Sequence, residues 1–152
     1  MIRPHWALFV GACLAVASAV GEEAPPAGTV KTSRGTVTIE RAGTRLPAPV
    51  GTSVHPADTL RTGPDGSVGI TLRDQTLLSA GPNSTLTLDR YAFDSTTHAG
   101  AMAATLGRGT LAVATGKLAR QAPEKVEFRT PTAVLGVRGT EFAVEVARGG
   151  DE

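Results

Sequence analysis

Polar and apolar residues alternate one for one from Glu141 to Val146, so that Phe142, Val144 and Val146 share one face of the backbone and Glu141, Ala143 and Glu145 the other. A repeat of two is the period of a half-buried strand, not the repeat of about 3.6 that a helix requires. The same period returns upstream. Val37 and Ile39 face inward within residues 36–40, Val68, Ile70 and Leu72 within 67–73, Leu86 and Leu88 within 85–89, Leu111 and Val113 within 110–114, and Val126 and Phe128 flank Glu127. Pro64-Asp65-Gly66 and Gly81-Pro82-Asn83 are turn formers between such runs, and Arg73-Asp74-Gln75-Thr76 is a polar connection that predicts a hairpin over residues 68–80. The predicted fold class is therefore all-β, an antiparallel β-sandwich or roll of short strands in which consecutive strands are neighbours. Residues 99–106 are the one stretch of good helix formers, and Gly100 and Gly107 limit it to at most one short helical turn. With aromatics at 4% of the chain, the core has to come from Val, Leu and Ile.

Residues 1–19 stand apart. Arg3 leads into an apolar run from Trp6 to Val16, followed by Ala17-Ser18-Ala19, a small-x-small cleavage pattern; these are the three regions of a secretory signal peptide. The run is shorter than the ~20 residues that span a bilayer, so the expectation is a chain that is not integral to the membrane once the leader is cleaved. Cys13 reads as part of the apolar region and not as a lipidation site, because cleavage before it would leave Leu14-Ala15-Val16-Ala17 where a polar tether is expected. It is the only cysteine, so the exported domain has to hold together by packing without disulfides. Removing Arg3 takes Lys+Arg from 15 to 14 against Asp+Glu 14, a net charge of zero, which argues against nucleic acid or an anionic membrane as partner. The expected organisation is a signal peptide at 1–19, a flexible linker at 20–28, an all-β domain at 29–146 and a tail at 147–152, with a periplasmic or secreted location.

Residues 130–146 contain two glycines, Gly136 and Gly139, around Val137-Arg138; the segment is expected to enter extended, bend and leave extended, as a hairpin would. Arg34-Gly35-Thr36, Arg108-Gly109-Thr110 and Arg138-Gly139-Thr140 each precede an alternating strand, with Asp65-Gly66-Ser67 as a variant; the glycine is expected to supply a backbone conformation that a side chain forbids. Thr130-Pro-Thr-Ala-Val-Leu-Gly-Val-Arg-Gly-Thr-Glu-Phe142 resembles the closing signature of the FecR domain, named for the iron-citrate regulator of Gram-negative bacteria. Asp58-Thr-Leu-Arg-Thr62, Gly66-Ser-Val-Gly-Ile-Thr-Leu72, Pro82-Asn-Ser-Thr-Leu-Thr-Leu88 and Leu106-Gly-Arg-Gly-Thr-Leu111 are similar to that family in its own order, over residues 29–146. The resemblance implies an envelope binding or signal-relay module that takes a signal from an outer-membrane receptor. Family regulators pass it through a membrane helix to a cytoplasmic sigma-factor-binding segment; here only the leader and linker precede the domain and residues 147–152 follow it, so a stand-alone module without that segment is expected.

Nothing in the sequence assembles a catalytic group. His55 and His98 lie in polar loops without neighbours at metal-ligand spacing, no Gly-x-Ser-x-Gly elbow exposes a nucleophile, and Asp58, Asp65, Asp74, Asp89 and Asp94 sit at turns and strand ends, so neither an enzyme nor a cofactor is expected. The expected mechanism is edge pairing with an envelope protein along residues 130–146 and the Glu127-Phe128-Arg129 strand, with Glu127, Arg129 and Arg138 as interaction residues. Val134, Phe142 and Val144 are expected in the core. The alternative is a peptidoglycan or polysaccharide ligand stacking on Tyr91 and Phe93, which alternate on one face of Asp89-Arg-Tyr-Ala-Phe-Asp94.

Overall fold

The runs with a repeat of two are extended in the computed structural model, which describes residues 25–137 and 139–147. In chain order they are β1 (Gly28–Arg34), β2 (Val37–Arg41), β3 (Thr44–Pro47), β4 (Ser53–Val54), β5 (Thr59–Thr62), β6 (Ser67–Leu72), β7 (Leu77–Ala80), β8 (Thr85–Phe93) and β9 (Gly100–Ala114). A short helix α1 (Lys117–Gln121) and a 3₁₀ turn (Pro123–Lys125) lead to β10 (Val126–Arg129), β11 (Val134–Gly136) and β12 (Glu141–Val146). The fold is all-β, and the hairpin over 68–80 is present as β6 and β7, which pair from Val68↔Ala80 to Thr71↔Leu77.

All twelve strands belong to one sheet, and β9 is its spine. The N-terminal part of β9 lies between β8 and β10, completing the order β3-β2-β5-β8-β9-β10-β11. Its C-terminal part lies between β7 and β12, completing the order β4-β1-β6-β7-β9-β12. The inward rows of both halves, among them Val30, Ile70, Leu78 and Leu111 from one and Ile39, Leu60, Leu86 and Phe128 from the other, form one buried cluster, so the sheet is curled upon itself as a roll. The bend falls at Gly107-Arg108-Gly109. Gly109 has φ +96, and a Cβ there would collide with Ser84, so the second glycine of the Arg-Gly-Thr series is required both by backbone conformation and by close approach. Gly35 and Gly139 also have positive φ, as that series predicts.

Three expectations need correction. Residues 100–106 are strand and not helix: Met102, Ala104 and Leu106 are buried while neighbours bond on both sides, and this tertiary pairing outweighs the helix propensity of alanine. The strands are not all short, since β9 has 15 residues. Nor are consecutive strands always antiparallel, because β10 runs parallel to β9 from Val126↔Met102 to Arg129↔Thr105. A parallel return needs a crossover connection, and α1 with the 3₁₀ turn supplies it. Leu118 of α1 is fully buried in the core.

Candidate functional site

The candidate residues from the sequence scatter. Glu127 and Arg129 share the outer row of β10 and form an ion pair at 2.7 Å. The Arg129 hydrogen bond holds the Glu127 carboxyl below its usual range. Strand β10, however, is flanked by β9 on one side and β11 on the other, so it offers no free backbone edge. Arg138 lies outside the described residues.

Tyr91 and Phe93 are core residues, 6% and 8% exposed, and only their margins reach the surface, where they line a pocket with Arg73, Asp94 and Gly100. The ladder between β8 and β9 slips between Thr87 and Arg90, and both Asp89 and Arg90 are exposed. This bulge moves the inward parity from Leu86 and Leu88 to Tyr91 and Phe93. The Tyr91 hydroxyl donates to Asp74 Oδ1 and accepts from the Asp74 N–H, each at 3.0 Å. Burial first, and the Asp74 charge second, push its phenol well above the ordinary tyrosine range. His98 stacks on Phe93 with centroids 5.9 Å apart.

Two of the acids expected at turns and strand ends, Asp74 in the β6–β7 turn and Asp58 just before β5, are also buried hubs. Asp74 accepts from Thr76 Oγ1 at 2.7 Å and from the Leu118 N–H at 3.2 Å, which anchors α1 to the β6–β7 turn. Asp58, 1% exposed, takes a two-point contact from Arg41 at 2.9 and 2.7 Å. Partners 17 to 44 residues away gave the sequence reading nothing to detect. Among the described residues, no group of three or more His, Cys, Asp or Glu side chains is placed to hold a metal ion.

Residues 130–146 are not a hairpin. Among the described residues, β11 pairs only with β10 and β12 only with β9, so β11 and β12 lie in different halves of the roll, with Val137 buried after β11. Val134 is 65% exposed and therefore not core. Phe142, Val144 and Val146 face the core but are only partly buried, with Phe142 edge-on to Phe128 at 5.2 Å.

The four edge strands of the roll differ in what they offer. β4 has two residues, β11 three, and β3 four, ending in Pro47. β12 has six residues and, among the described residues, a single neighbour. The bond from the Thr115 N–H to the Thr140 carbonyl, together with the register Glu141↔Ala114 to Val146↔Gly109, fixes which groups are used. Phe142, Val144 and Val146 turn their backbone groups toward β9, and Glu141, Ala143 and Glu145 turn theirs to the open side. The outer face beside this edge is smooth: Leu77, Ser79, Ala112, Ala114, Glu141 and Ala143 border a depression of about 410 Å³. Neither Glu141 nor Glu145 has an ion-pair partner among the described residues.

Fold and edge together define an all-β module with a six-residue strand that, among the described residues, is paired on one side and open on the other. The chain matches the family model described as FecR protein over residues 58–152, and it belongs to the FecR family. No curated protein and no solved structure matches it.

Proposed function

We propose that this chain is an exported module of the cell envelope that binds another protein by accepting its strand at β12, and so relays a signal or holds an assembly together. The open six-residue edge is the observation that carries this reading. Family membership supports a signalling-related protein interaction, and the residues of the leader support export. No helix among the described residues is long and apolar enough to cross a membrane. The burial of Tyr91 and Phe93 argues against the glycan alternative. We assign the module no reaction.

The test is photo-crosslinking in cells, with a photoreactive residue at Ala143 on the open edge or at Arg45 on the opposite edge strand β3. A discrete adduct with an envelope protein from position 143 and none from 45 is expected. Absence of any protein adduct from either position would overturn the reading.

A further inference from the structure

We infer that β12 selects a basic partner strand, one with a cationic residue at each end of an apolar-polar-apolar triplet, and that the same acidic pair keeps the module from pairing with itself. The inference rests on the strand-addition reading above and adds the chemistry of the partner. An incoming strand bonds to the open groups of Glu141, Ala143 and Glu145, so the residues opposite these three share their outward face. Glu141 and Glu145 therefore each meet one outward side chain of the partner, and a Lys or Arg at both positions pairs with them. The residue opposite Ala143 continues the outer-face row of Ser79, Ala112 and Ala143 into solvent, where a polar side chain fits.

The inward row sets the other two positions. Every apolar residue in the inward row of β6 and β7 is about 2–4% exposed, whereas Phe142, Val144 and Val146 remain partly exposed. The apolar layer stops one column short, and partner residues opposite Phe142 and Val144 extend it. A second copy of this chain is a poor occupant. Only one antiparallel register uses the open groups of 141, 143 and 145 in both copies, and it sets Glu141 against Glu145 twice; like charges directly opposite each other destabilise a sheet.

The probes are short synthetic peptides containing Lys-Val-Thr-Val-Lys, the same peptide with both Lys replaced by Glu, and the Lys peptide with its central Thr replaced by Pro. Fluorescence anisotropy of each labelled peptide is measured against the purified full-length chain at about 50 mM salt, where surface charges are weakly screened. The Lys peptide is expected to bind about tenfold more tightly than the Glu peptide, and the Pro peptide to bind far more weakly. In the double variant E141K/E145K, which changes only exposed side chains, the preference is expected to reverse and the Glu peptide to bind better. Equal binding of the Lys and Glu peptides, or a preference unchanged in the double variant, overturns the inference. If position 143 crosslinks an envelope protein while the peptides show no charge preference, strand addition stands and the basic-partner inference falls. If no protein is crosslinked from either position, the functional reading falls first.

Discussion

Asp74 shows how much of this molecule depends on single buried polar side chains. Its carboxyl accepts from Tyr91, from Thr76 through both backbone and hydroxyl, and from the Leu118 N–H, all within an environment where Asp74 is 0% exposed. Asp74→Ala orphans these donors and is expected to cost about 3 kcal/mol, seen as a fall in Tm on the order of 10 °C; a fall of only a degree or two would contradict the role. Tyr91, the only tyrosine, gives a pH signature. Its folded pKa is raised above the unfolded value of about 10, so its contribution is complete below that pH and is lost progressively as pH climbs toward the folded value. Chemical denaturation at a series of pH values should therefore show stability declining above pH ~10, and Tyr91→Phe should remove that part of the decline. The inward aliphatic residues were legible because alternation marks them directly. Asp74, Asp58 and the inward turn of Tyr91 were not, since hydrogen-bond partners far along the chain and a bulge at Asp89-Arg90 leave no local pattern.

Among the elements, β9 and β12 decide the architecture. Gly109→Ala places a Cβ against Ser84 in a backbone conformation of φ +96, and it is expected to destabilise the roll by about 2–3 kcal/mol in thermal unfolding. Proline tests the edge. At Ala143 the N–H faces the open side, so Ala143→Pro should cost little, whereas Val144→Pro removes a bond to β9 and should cost about 3 kcal/mol or more. Equal losses in the two variants would mean that the parity of the edge is wrong. The existence of β12 was plain from its alternation, but its partner was not. Gly136 and Gly139 signalled a bend without saying that the bend passes between two halves of a sheet, and the Ala-rich start of β9 read as helix because alanine favours helix locally, whereas pairing with β8 and with the parallel β10 decides its state.

At the scale of the whole molecule, a single curled sheet shares one spine and one core, and its longest open edge among the described residues, β12, carries two exposed glutamates. The all-β class and the family followed from repeated alternation and ordered motifs, and the family match over residues 58–152 agrees with them. That the openness lies at β12 and not at β10 became visible only from the pairing. The decisive measurement is amide-resolved hydrogen exchange across residues 141–146 in the full-length chain without a partner. The amides of Glu141, Ala143 and Glu145 should exchange rapidly while those of Phe142, Val144 and Val146 are protected. Uniform protection would mean the edge is already covered, uniform rapid exchange that β12 is not docked on β9, and either result would contradict an edge waiting for a partner strand.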